Sequence, residues 1–177
     1  MNRTTILAVT LIISLALSGC IETGDELPDD FEEYESEYIS MDLPEDWVIR
    51  EQRMISPGEF YLECYPSERN KNPVIELHIW NSSVESLDDF VKEQHVGERP
   101  GNVMDCRIAD RTGKKVVRQD GENEYTVFYF RIGGERYGRE MRYYYGKLSF
   151  SRNISGFDDA DWDMFVNRIV RSLEFED

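Results

Sequence analysis

Two histidines, three cysteines and a run of tyrosines and arginines are the side chains of this 177-residue chain whose chemistry could go beyond packing. His78 lies two residues from Glu76. In an extended segment that spacing puts both on one face, where they could supply two metal ligands or an acid–base pair. The same spacing arises on any solvated strand face, so the pair by itself names no reaction. His95 falls where a helix should end, a place that favours a cation in any case. Tyr125, Tyr129 and Arg131, with Arg136, Arg142 and Tyr144 further on, could form one aromatic and basic patch, a mixture common at protein interfaces and able to hold anions. The competing explanation is arginines stacking on tyrosines for stability. Asp159, Asp161 and Asp163 occupy positions one, three and five of a calcium-loop pattern, but position six is Met164 and position twelve is Val170, where glycine and a bidentate glutamate are required. These acids instead start a helix. No nucleotide-binding loop, zinc-protease helix or serine nucleophile elbow occurs. The sequence therefore assigns no catalytic residue, no metal and no cofactor, and the expectation is a protein that is not an enzyme.

The elements that must position these residues follow from hydropathy patterning. Residues 74–80 alternate, with Ile75, Leu77 and Ile79 toward a core and Glu76 and His78 away from it. Extended runs are also expected at residues 38–41, 47–49, 59–65, 105–109, 114–117 and 147–154. Turns are expected at Leu43-Pro44-Glu45-Asp46, at Pro57-Gly58 and at Thr112-Gly113. Ser86 can cap a helix that carries Leu87, Phe90 and Val91 inward and ends near residues 97–101. Two β-rich runs, 124–132 and 135–145, flank Gly133-Gly134, which predicts a two-residue hairpin there because glycine supplies positive φ. In the first run Thr126, Phe128, Phe130 and Ile132 share a face. Finally, Trp162, Phe165, Val166, Ile169, Val170 and Leu173 recur at helical spacing within residues 158–173, with acids in the first turns and Arg168 and Arg171 in the last. The expected fold class is α+β: one antiparallel sheet of about six strands with helices packed on it.

The N-terminus reads as a secretory leader: Arg3, an apolar run over residues 6–17, then small residues. About 12 helical residues at ~1.5 Å each fall well short of the ~30 Å bilayer core, so a permanent span is not expected. The tetrapeptide Leu17-Ser18-Gly19-Cys20 resembles the lipobox of lipoproteins, which implies cleavage before Cys20 and lipid attachment to its thiol. The expected arrangement is a signal peptide over residues 1–19, a lipidated Cys20 with an acidic disordered tether over residues 20–37, and one domain over residues 38–177.

Net charge is −16, and residues 22–37 hold nine acids and no base, leaving the body near −8. Such a tether cannot bury enough apolar surface to offset its conformational entropy, and its expected reach from the membrane is roughly 60 Å. Phosphate binding needs a basic surface, so nucleic acid is not an expected partner. The expected partners are the membrane, through lipid on Cys20, and an unidentified protein. With Cys20 lipidated, Cys64 and Cys106 would face an oxidising compartment, either as a disulfide or as two buried free thiols, and spacing alone does not choose. Asn81 and Asn153 head glycosylation sequons.

Several stretches together resemble the PsbP-like domains: Tyr38-Ile39-Ser40-Met41-Asp42-Leu43-Pro44-Glu45-Asp46-Trp47, Ser86-Leu87-Asp88-Asp89-Phe90, the aromatic hairpin, and Ile169-Val170-Arg171-Ser172-Leu173-Glu174-Phe175. The resemblance spans nearly all of residues 38–177 and marks fold positions rather than chemistry. It implies an α/β/α sandwich. It also implies a role in binding or assembly, making the expected protein an outward-facing, membrane-anchored accessory module. The alternative is a small extracytoplasmic ligand- or metal-binding protein or enzyme using Glu76 and His78 or the arginine–tyrosine face.

Overall fold

The structure, a computed structural model, describes residues 30–36, 39–53, 59–67, 72–95, 102–153 and 158–175. Among these residues ten strands and two helices follow in chain order. They are β1 (Phe31–Glu35), β2 (Ile39–Pro44), β3 (Val48–Arg53), β4 (Phe60–Tyr65), β5 (Ile75–Ser82), α1 (Leu87–Gln94), β6 (Asn102–Ile108), β7 (Arg111–Asp120), β8 (Asn123–Tyr137), β9 (Glu140–Asn153), α2 (Asp159–Ser172) and β10 (Glu174–Phe175). Seven strands form one antiparallel sheet in the order β3-β4-β5-β9-β8-β7-β6, and β1-β2-β10 form a second, smaller one. This corrects the expected α+β, α/β/α sandwich on about six strands: the protein is mostly β, with a second sheet as part of its packing. The reason lies in β1 and β10. Neither has an apolar pattern strong enough to announce a strand, and both exist because β2 offers them a ladder.

One face of the large sheet packs against α2 and the small sheet. Its core contains Leu62, Ile75, Leu77, Ile79, Phe128, Phe130, Leu148 and Phe150, met by Trp162, Phe165, Val166, Ile169, Val170 and Leu173 from the helix end and by Ile39, Met41 and Leu43 from β2. The alternation of β5 and the helical stripe of α2 are thus as the hydropathy predicts. Asp158 caps α2, its side chain accepting from the Ala160 amide. The opposite face carries a second, smaller core under α1, where Phe90 and Val91 meet Val116, Val127, Tyr129, Tyr143 and Tyr145. Ser86 caps α1 as expected, accepting from the Asp89 amide. Lys114 pins the helix to the sheet edge, reaching Asp88 at 2.7 Å and Asp105 at 2.6 Å. Those two bonds hold its ammonium pKa up at about 12.

Three further expectations change. The tether does not stay disordered throughout residues 20–37, because Phe31–Glu35 pairs residue for residue with β2. Phe31 stacks near Phe165, with ring centroids 6.1 Å apart, and Arg168 lies 3.8 Å over its ring. Two contacts to the Phe31 ring and a tertiary ladder outweigh the acidic composition. If Cys20 is the anchor, only about ten residues would separate it from β1, a reach of at most roughly 35 Å.

The β6–β7 turn lies at Ala109-Asp110, with Ala109 at φ 53°, and not at Thr112-Gly113. Gly113 is instead a strand residue. A Cβ there would fall 2.4 Å from Ile108 Cδ1 and 2.9 Å from the Tyr129 carbonyl oxygen.

The long hairpin turns at Gly138-Arg139, with Gly138 at φ 63°, and Gly133-Gly134 sits inside β8 beside a register shift between Arg131 and Gly133. The runs expected at residues 135–145 and 147–154 are therefore not separate strands, since β9 is continuous from Glu140 to Asn153. Pro57-Gly58, residues 97–101 and the leader with Cys20 lie outside the described residues.

Candidate functional site

A two-residue strand period decides what the hairpin presents. Up to Arg131, odd-numbered residues of β8 face α1. The irregularity between Arg131 and Gly133 then shifts the register, so that Gly133 opposes Tyr144, Glu135 opposes Arg142 and Arg136 opposes Met141. Tyr143 and Tyr145 share the α1 face with Tyr129. Arg142 and Tyr144, alternating with them, lie on the other face. The expected single patch is therefore split, because it assumed a turn at Gly133-Gly134.

Its members do different things. Tyr129 is 2% exposed, and its hydroxyl lies 3.2 Å from His95 Nε2 under α1. Tyr125 is half-buried with the Arg118 guanidinium 5.0 Å from its ring. Arg136 is exposed. Arg131 lies 4.3 Å over the Tyr143 ring and donates to the Glu85 carbonyl. The Tyr144 hydroxyl donates to Glu135. For Tyr125, Tyr129 and Arg131 the stabilising role is the observed one.

Arg142 is placed differently. β5 ends at Ser82, paired with Tyr143, so residues 140–142 of β9 run on past the last β5 partner while the chain from Ser83 turns away toward α1. A polar cleft of about 810 Å³ opens in that angle. Asn81, Ser82, Ser83 and Glu85 line one side of it, and Glu140, Met141, Arg142 and Tyr143 the other. Its base is braced. The Tyr145 hydroxyl reaches the carbonyl oxygens of Val84 at 2.7 Å and Glu85 at 2.9 Å, and Arg131 ties Glu85 to the Tyr143 ring. The cleft thus presents one guanidinium, two carboxylates, hydroxyls and a side-chain amide on a rigid sheet end. Such a wall can match charges and hydrogen bonds on a ligand. Ser82, Ser83 and Glu85 carried no signal in the sequence beyond a helix approach, because the cleft depends on where β5 stops relative to β9.

Asn81 lies on this wall, so a glycan there would crowd the cleft. Asn153 is the last residue of β9.

Glu76 and His78 share a face as the alternation requires, yet they do not act as a pair. Tyr61 Oη stands 3.0 Å from Glu63 Oε1 and 3.0 Å from Glu76 Oε1. Burial and these two carboxylates push the tyrosine pKa far up, so Tyr61 stays a proton donor. His78 is packed between rings, 4.3 Å from Trp80 and 5.6 Å from Tyr61 by centroid, and its Nε2 is buried without a hydrogen-bond partner. Among the described residues no group of three or more His, Cys, Asp or Glu is arranged to hold a metal ion.

Burial lowers the His78 pKa, against the opposing pull of Glu59. The unfolded chain then takes up this proton at higher pH than the folded one. Stability present above the ordinary histidine pKa is lost as pH falls through that value toward the folded pKa. Thermal melts should show a falling Tm between about pH 7 and pH 5, and His78→Gln should flatten part of that fall. An unchanged slope would remove His78 from the acid response.

Cys64 and Cys106 are both free. They sit on β4 and β6, with β5, β9, β8 and β7 between them, and at ~4.8 Å per strand a bridge is out of reach. Burial pushes the Cys64 thiol up to about 12, so it is unreactive at neutral pH.

No family model matches the chain, and no curated protein matches it. Among solved structures, one from Bacteroides thetaiotaomicron VPI-5482 aligns with a TM-score of 0.40 at 13% identity, covering 78% of this chain and 45% of that one. The chain thus spans less than half the length of that protein.

Proposed function

We propose that the chain is an outward-facing, membrane-tethered binding module. It is held at the membrane by lipid on Cys20, does no chemistry of its own, and uses the cleft beside Arg142 to seat a charged segment of a partner protein. The observation that carries this reading is the polar lining of that cleft, which gathers Arg142, Glu85, Glu140 and side-chain hydroxyls at a braced sheet end. Small-molecule pockets are mostly apolar with a few polar groups, whereas this wall fits a polar surface segment better. The lipobox supports the location, and the PsbP-like resemblance of residues 38–177 points to the same kind of role.

A photo-crosslinking side chain in place of Met141, which is 42% exposed on the cleft rim, tests the reading in intact cells. One discrete protein adduct is expected from that position and none from a probe at Glu122, far along the sheet. Arg142→Glu in the same background should abolish the adduct while shifting Tm by under about 2 °C, because partly exposed substitutions outside a core rarely exceed ~0.5 kcal/mol. An adduct that survives charge reversal, or identical adducts from both probe positions, would refute the cleft as the binding site.

A further inference from the structure

β6 is an outer strand of the seven-stranded sheet, and among the described residues it pairs with β7 alone. No described strand pairs with the backbone N–H and C=O groups of its other edge, and such a row is a template for another strand. β6 has neither a proline nor a bulge to interrupt it: Asn102–Ile108 pairs with β7 through seven consecutive residues without a register shift. Val103 and Met104, 44% and 45% exposed, are adjacent and so put an apolar side chain on each face of this edge.

We infer that the β6 edge is a homodimer interface, in which β6 of two copies pair antiparallel about a two-fold axis at Cys106. Charge complementarity selects this register. Symmetry requires that residue numbers directly opposite each other have a constant sum. An axis at Asp105 would oppose two aspartates, and an axis at Arg107 would oppose two arginines; both arrangements are repulsive. An axis at Cys106 sets Asp105 opposite Arg107 of the partner subunit, and its own Arg107 opposite Asp105 of the partner subunit. It also sets Met104 opposite Ile108 of the partner subunit. Asp105 is bonded to Lys114 but 80% exposed at its side chain, and Arg107 donates to the Asp110 carbonyl but is exposed, so the carboxylate can accept, and the guanidinium can donate, one further bond across the axis. The resulting contact is isologous and closed, which limits assembly to two copies and joins the large sheets into one of fourteen strands. Two copies anchored in one membrane would meet at a raised effective concentration, which favours even a small edge contact. The inference does not depend on the cleft beside Arg142.

The same register places the two Cys106 side chains directly opposite one another, with Cβ atoms about 4.5–5.5 Å apart. Mild copper-phenanthroline oxidation of the full-length protein in lipid nanodiscs or detergent should yield a covalent dimer on non-reducing gels. Cys106→Ser should abolish that band and Cys64→Ser should leave it. Sedimentation tests the non-covalent contact. Cys106→Ser should remain dimeric, Asp105→Arg should be monomeric with an unchanged circular dichroism spectrum, and Asp105→Arg combined with Arg107→Asp should restore the dimer. A protein that is monomeric across the micromolar range overturns the inference. So does a dimer indifferent to Asp105→Arg, or a covalent band that survives loss of Cys106.

Discussion

Cys20→Ser is expected to move the protein from the membrane pellet to the supernatant after cell fractionation. The argument is one of magnitude. Each methylene buried in a bilayer contributes ~0.8 kcal/mol, and a single myristoyl-sized chain holds a protein only marginally, with an association constant on the order of 10⁴ per molar. Durable anchorage therefore needs the two-chain lipid that the lipobox-like Leu17-Ser18-Gly19-Cys20 implies. No helix among the described residues is long and apolar enough to cross a membrane. The acidic stretch before β1 would be repelled by anionic lipids rather than held by them. Retention of the serine variant in the pellet would refute lipid anchoring.

The structure also changes what anchoring would do. With β1 folded onto β2, a body anchored through Cys20 would lie within roughly 35 Å of the bilayer instead of the ~60 Å expected from a fully disordered tether. The chain would enter it at the Phe31 end of β1, where Phe31 and Trp47 both pack on Phe165.

Trp162→Ala is the substitution expected to cost the fold most. Trp162 is 2% exposed and stacks on Phe165 at 5.4 Å, with the Arg152 guanidinium 5.7 Å from its ring. It belongs to the core that joins α2 to the large sheet. Removing such a side chain leaves a cavity as well as losing transfer free energy, together typically ~3–5 kcal/mol. Domains of this size are stable by only about 5–15 kcal/mol in total. Tm should therefore fall by roughly 10–20 °C. Met164→Ala, two residues away on the same helix but 65% exposed, should change stability by no more than ~0.5 kcal/mol. Denaturant titration of both variants checks this, and equal effects would mean that α2 is not seated through the Trp162 face.

These expectations differ in how directly the residues announce them. The Trp162 stripe is legible because helical period and apolar spacing coincide over about three turns. The Ile75-Leu77-Ile79 alternation is legible for the same reason at period two. The capping roles of Ser86 and Asp158 follow from side-chain chemistry at a helix start. Glycine was the misleading signal. At Gly133-Gly134 and at Thr112-Gly113 it marks a strand irregularity and a close approach, while the turns fall at Gly138-Arg139 and Ala109-Asp110. A turn displaced by five residues, together with one irregularity, reverses the facing of every side chain that follows. That is why Arg142 parts from Arg131 and joins a cleft.

Local sequence by itself determined the helices, the central strands, their buried faces and the lipobox-like leader, because each depends on interactions within a few residues. Tertiary structure alone decided that acidic β1 folds, that Cys64 and Cys106 lie apart, that β5 stops short of β9 to open the cleft, and that β6 is an outer strand of the large sheet. All four are settled by which strand lies next to which, a long-range choice that no local pattern encodes.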